Sequence, residues 1–198
     1  MTVNQTRTGQ AWRRHRGHCH HPRQRRQPCP ARAAYLYVRP HDPTMHVLLN
    51  VGELRGEPQF EPVHVEELSE GVLKLLFSPG LAYDIAAGDT IKVDESGHYD
   101  VVQRAGNLAI RLYFKEPVGD RLTKLEQEFA AMNGTLDGQV RNGAVFTVSA
   151  SGHVPKVRRV MNDFVKTNKD CIWEFGNAYD SQGKPLDWCK QLLGAGEA

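Results

Sequence analysis

No stretch of the chain approaches the roughly 18 consecutive uncharged apolar residues that a membrane-crossing helix requires. Its opening segment has no apolar core of the kind a secretory signal carries. Cysteine is scarce: Cys19, Cys29, Cys171 and Cys189 are too few and too scattered for a disulfide framework. The expected location is therefore the cytoplasm. Motifs are missing too. There is no P-loop, G-x-G-x-x-G, H-E-x-x-H, C-x-x-C or G-x-S-x-G. Nothing announces nucleotide, zinc-hydrolase or serine-hydrolase chemistry, and no cofactor or metal is expected.

What is present divides sharply by charge. Residues 1–44 hold nine Arg, no Lys and one acid, Asp42, whereas residues 45–198 hold 16 basic and 22 acidic residues, a net of −6. Asymmetry of this kind separates a tail from a domain. The leader, rich in Arg, His and Pro, has no apolar period and is expected to be disordered. Three readings of it are open: an extension that precedes a native start at Met45, a basic arm that grips phosphates, or a targeting or metal-binding segment. The last would use His18, Cys19, His20, His21 and Cys29, but structural zinc sites want paired ligands at fixed spacing. Nine arginines with no lysine favour the first.

From Met45 the texture is that of a folded domain. Residues 46–51 (HVLLNV), 62–68 (PVHVEEL), 71–77 (GVLKLLF), 90–93 (TIKV) and 99–103 (YDVVQ) are short β-rich runs. Gly, Pro and Asp punctuate them, as in a meander or partly closed barrel. Residues 81–87 carry no clear signal. Further on, Ile110, Leu112 and Phe114 alternate on one strand face. Leu122, Leu125, Phe129 and Met132 recur at helical spacing behind Asp120 as N-cap, with Gly134 as the left-handed stop. Residues 135–140 and 144–150 are two strands joined through Asn142-Gly143, a pair suited to a type I′ turn. Val157, Val160, Met161, Phe164 and Val165 form a second apolar helix face. Residues 171–175 (CIWEF) are a last strand, and 181–198 read as a loose tail.

The expected fold is thus α+β. A β-rich unit at 45–106 precedes a ferredoxin-like βαββαβ unit at 107–180. Over residues 45–180 the chain resembles the bacterial domain-of-unknown-function family DUF4265. The resemblance lies in HVLL at 46–49, PVHVEEL at 62–68, GLAYDIAAGDTIKV at 80–93, VVQRAGNLAIR at 101–111 and CIWEFGNAYD at 171–180. It implies boundaries, but no activity and no site residues.

Candidate chemistry is thin. His64 and Glu66, with Glu67 beside them, lie on one expected strand. There His64 and Glu66 would share a face as an acid–base pair or half a metal site; plain alternation, with Val63 and Val65 inward, is what a half-exposed strand shows by default and is the favoured reading. Cys171 is a candidate nucleophile with His98 or His153 as base, set against burial as a core residue. Asp84 and Asp89 suggest a loop carboxylate pair or simple turn residues. Tyr113, Phe146, Trp173 and Phe175 are aromatics of the kind that stack bases on an open sheet, but an acidic domain is a poor nucleic-acid surface. The expected function is a non-enzymatic binding protein, such as an immunity protein or regulator that occludes a protein partner, for example a basic toxin. An enzyme with a site at the junction of the two halves and a small-ligand sensor are the alternatives. No oligomeric state is assigned.

Overall fold

The computed structural model describes residues 45–180 and 182–194. The leader, with its expected disorder, its His–Cys cluster and the question of Met45 as a start, lies outside them.

The first half is a five-stranded antiparallel meander in chain order: β1 (Met45–Leu54), β2 (Glu57–Ser69), β3 (Val72–Leu75), β4 (Thr90–Val93) and β5 (Tyr99–Gln103). Alternation builds it. Val47, Leu49, Val63 and Val65 face a core shared with Leu73, Leu75, Ile85 and Ile91. β1 and β2 run further than their apolar runs suggest, because Arg55 (φ 56°) and Gly56 (φ 79°) make a tight left-handed turn. The turn before β5 folds back onto β1, where the Asn50 N–H donates to the Gly97 carbonyl at 2.8 Å. A side chain on Gly97 would sit 2.9 Å from the Leu48 carbonyl oxygen.

The second half contains β6 (Asn107–Phe114), α1 (Thr123–Ala130), β7 (Thr135–Val140), β8 (Gly143–Ser149), α2 (Val154–Thr167), β9 (Cys171–Phe175) and the short α3 (Lys190–Gly194). Its sheet has the order β7-β8-β6-β9, every neighbouring pair antiparallel. Leu108, Ile110, Leu112, Phe146 and Val148 form the face on which α1 and α2 pack, through Leu125, Phe129, Val157 and Met161. Phe129 stacks on Phe146 with centroids 4.5 Å apart. Together the halves make a mixed α/β protein of two antiparallel sheets.

Local details differ from the sequence expectation in four places. Asp120 is no N-cap: it lies in a 3-10 turn (Gly119–Leu122), and α1 starts only at Thr123, whose Oγ1 donates to the Asp120 carbonyl. Asn133, at φ 55°, takes the left-handed position after α1, while Gly134 is demanded by space, since a Cβ there would lie 2.8 Å from the Thr147 carbonyl oxygen. Neither Asn142 nor Gly143 has positive φ, and the two turn residues are Arg141 and Asn142, between the paired Val140 and Gly143. Asn142 instead braces the chain after β6, its Nδ2 donating to the carbonyls of Phe114 (3.2 Å) and Lys115 (2.9 Å). Finally, the segment after Asp180 is no loose tail over its described part. Trp188 Nε1 donates to the Asn177 carbonyl, and Cys189 and Leu193 are buried in the main core.

Candidate functional site

Residues 76–89 connect β3 to β4 and run across the sheet face opposite the helices. Two charged side chains grip them from either side. The Glu61 carboxylate of β2 accepts the N–H groups of Gly80 (2.7 Å), Leu81 (3.0 Å) and Ala82 (2.7 Å). The Arg111 guanidinium of β6 donates to the carbonyls of Pro79 (3.2 Å), Leu81 (3.3 Å) and Ala82. Alternation on β6 suggests that Arg111 faces water; in fact it is fully buried. The segment covers it, and Tyr83 lies over it with the guanidinium carbon 4.6 Å from the ring centroid. Glu174 of β9 stands 3.8 Å away and also accepts the hydroxyls of Tyr113 (2.9 Å) and Tyr83 (3.2 Å). Burial drives the Tyr113 phenol well above its ordinary range, against the Arg111 charge and helped by the bond to Glu174.

Two further knots hold the segment's ends. The Ser78 N–H donates to Asp137 Oδ2 at 2.7 Å, and the Ser78 and Thr147 hydroxyls bond to each other, with Thr147 donating on to Asp137. At the other end, buried Asp89 accepts the N–H groups of Ala86 (3.0 Å) and Ala105 (2.7 Å). Desolvation raises its pKa despite those bonds and nearby Arg104.

Two cavities flank this arrangement. A smaller one of about 510 Å³ lies between β2, the start of the segment and the β7–β8 hairpin. Its lining includes His64, Phe77, Leu81, Asp137 and Val140. A larger cleft of about 1080 Å³ opens along β9, where Tyr83, Trp173, Phe175 and Tyr179 supply aromatic walls. Asp84, Glu174 and Asp180 supply carboxylates to it, and Arg158, from α2, is the cation of its lining.

The residues singled out from the sequence are scattered over this frame. His64 lines the smaller cavity, its ring 4.0 Å from His46 across the β1–β2 ladder and 5.5 Å from Phe77. Glu66 lies outside that cavity, exposed, with Lys74 at 3.8 Å. Cys171 lies in neither cavity, and burial, with the Asp170 charge adding to it and Arg121 opposing, pushes its thiol up to about 11. His98 meets Ser96 and Asp94 in the β4–β5 turn, and His153 reaches the Ser149 carbonyl. Neither attends Cys171. Asp84 and Asp89 do come together, both beside Arg104 (2.6 and 3.6 Å). Glu61, Arg111, Tyr83 and Asp137 carried no sequence signal of their own, because a single carboxylate or arginine on a strand reads as surface. Among the described residues no group of three or more His, Cys, Asp or Glu could hold a metal ion, and no helix is long and apolar enough to cross a membrane.

Comparison with known proteins adds a family and a fold. A family model described as a domain of unknown function (DUF4265) matches residues 61–173. A crystal structure described as a hypothetical protein from Neisseria gonorrhoeae is 12% identical, with a TM-score of 0.53 over 65% of this chain and 91% of that one. At that identity the likeness speaks for the fold alone. No curated protein matches.

Proposed function

Starting from a chain that belongs to the DUF4265 family, we propose a non-enzymatic binding protein that seats a basic segment of a protein partner in the cleft along β9. One observation carries this reading: aromatic walls and carboxylates converge there on a sheet edge. Tyr83 is more than half exposed beside Glu174, and Asp84 and Asp180 share the same cleft. Aromatic faces accept the stems of Lys and Arg while carboxylates meet their charged heads. The net −6 of residues 45–198 would steer such a partner toward the protein. An immunity protein or a regulator that occludes a basic toxin is the concrete form.

The second half is read as ferredoxin-like, which its strand order and its two helices on one face support. The protein is read as cytoplasmic, consistent with Cys171 and Cys189 as free thiols.

The test is fluorescence anisotropy of a labelled lysine-rich peptide against a glutamate-rich one of equal length, at low and physiological salt. Binding of the lysine-rich peptide, weakened by salt, by Tyr83→Ala and by Glu174→Gln, is the expected result. Equal binding of both peptides, or binding indifferent to both substitutions, overturns the proposal.

A second reading rests on the smaller cavity. Its volume of about 510 Å³ is that of a small-molecule pocket, and its lining joins the two halves around His64. This would make the protein a ligand sensor, or an enzyme acting at that junction. A thermal-shift screen of metabolites, repeated on His64→Ala, tests it: a stabilising ligand whose effect vanishes with the substitution is the required outcome.

A further inference from the structure

β9 is the outermost strand of its sheet, bonded to β6 on one side and to no strand on the other. The ladder tells which of its backbone groups are spent. The Lys115 N–H donates to the Asp170 carbonyl at 3.1 Å, and the Gly176 N–H to the Ala109 carbonyl at 2.8 Å. Both lie in the register that opposes Tyr113 to Ile172 and Arg111 to Glu174. Bonded and unbonded pairs alternate along an antiparallel ladder. Ile172 and Glu174 therefore give their backbone groups to β6, while Trp173 and Phe175 aim theirs away from the sheet. Those groups meet no hydrogen-bond partner among the described residues, and both residues line the large cleft. Phe175 is 8% exposed because its side chain belongs to the main core, which fixes the strand in place, and a row of unpaired backbone groups on an edge strand is a template for pairing with another chain.

We propose that the partner segment enters the cleft as an extended strand and pairs with β9, taking up the free N–H and C=O groups of Trp173 and Phe175. This rests on the reading that the cleft seats a basic segment, and it adds how the segment is held. Strand addition takes affinity from main-chain bonds and specificity from the alternate side chains. Here alternate side chains of the added strand would lie along Tyr83 and Glu174 on one face of the sheet, so the preferred occupant is an extended segment with Lys or Arg at every second position. Charge argues against a second copy of this chain as the occupant. A β9–β9 pair about a two-fold axis would bring Glu174 toward its own mate, between two domains of the same negative sign.

The experiment uses the full chain and two synthetic peptides that alternate lysine and valine, identical except that one carries N-methyl groups on alternate backbone nitrogens. Hydrogen exchange at the Trp173 and Phe175 amides is followed by NMR with each peptide, alongside the dissociation constant. The unmodified peptide is expected to slow exchange at both amides, and N-methylation to weaken binding by about tenfold or more, as the loss of one or two main-chain bonds would. Equal affinity of the two peptides overturns strand addition while leaving the basic-segment reading intact. Binding of neither peptide overturns both. Amides already protected without peptide, in a protein that sediments as a dimer, would make a second copy the occupant and overturn the proposal too.

Discussion

Glu61 and Arg111 face each other across three residues of backbone, the carboxylate holding the N–H groups of Gly80, Leu81 and Ala82 and the guanidinium holding carbonyls of the same stretch. Neither charge needs the other as a salt-bridge partner, because peptide dipoles stand between them. A segment with no helix or strand of its own thereby has its polar groups satisfied by side chains, as buried backbone requires. It is also the piece that carries Tyr83 and Asp84 to the cleft.

Arg111 is the costlier half of that pair to lose. It is fully buried, and its removal strands the carbonyls of Pro79, Leu81 and Ala82. Arg111→Ala is expected to destabilise the protein by about 3–5 kcal/mol, the usual cost of breaking a buried charged contact from one side. Arg111→Lys should recover little, since an ammonium cannot reproduce a planar fork aimed at separate carbonyls. Urea unfolding of both variants checks this; a lysine variant as stable as wild type would contradict it.

Gly176 exists to admit that guanidinium. A Cβ at this position would lie 2.5 Å from Arg111 Nε and 2.7 Å from its Cζ. Gly176→Ala is expected to cost about 1–3 kcal/mol through overpacking. In an Arg111→Ala background most of that cost should disappear, because the colliding group is gone. A double-mutant cycle measures the coupling; strict additivity would show that Gly176 serves something else.

Much of the frame was legible in the sequence where one physical signal dominates. Val63 and Val65, or Ile110, Leu112 and Phe114, alternate because one sheet face is buried. Phe129 and Val157 mark helix faces through spacing alone. Legibility failed where tertiary contacts overrule local chemistry. Arg111 sits on the polar side of its strand pattern, yet that side is roofed by residues 79–83, some thirty positions earlier in the chain. Asn142 precedes a glycine as a type I′ turn would want, but its amide is spent on the Phe114 and Lys115 carbonyls. The cleft could not be read at all. Its lining spans Tyr83 to Leu186 and comes together only when β9, α2 and the segment after β3 are in place.

Cys171 gives a pH-dependent expectation. Burial pushes its thiol up to about 11, so folding favours the protonated form. The stability this contributes is present below the ordinary thiol range and is lost as pH rises from there toward about 11. The urea midpoint of the wild type should fall more steeply between pH 8.5 and 10.5 (about the span from the free-thiol value upward) than that of Cys171→Ala. Alkylation of the native protein by iodoacetamide near neutral pH should likewise be slow at Cys171 and fast after unfolding. A rapidly alkylated native Cys171 would return it to consideration as a nucleophile.

Leu193 separates a packed C-terminal segment from a loose one. It lies in α3, 4% exposed, in the same core as Val157 and Phe175. The element is too short for helical periodicity to betray it, and a five-residue helix has no stability apart from what it packs against. Leu193→Ala should therefore cost about 2–5 kcal/mol, as a cavity in a core does. Gln191→Ala, on the exposed side of the same turn, should change stability by less than about 0.5 kcal/mol. Because α3 follows the loop of Tyr179 and Leu186 that walls the cleft, Leu193→Ala should also weaken peptide binding there before the protein unfolds. Equal and negligible effects of the two substitutions would mean that the core ends before α3.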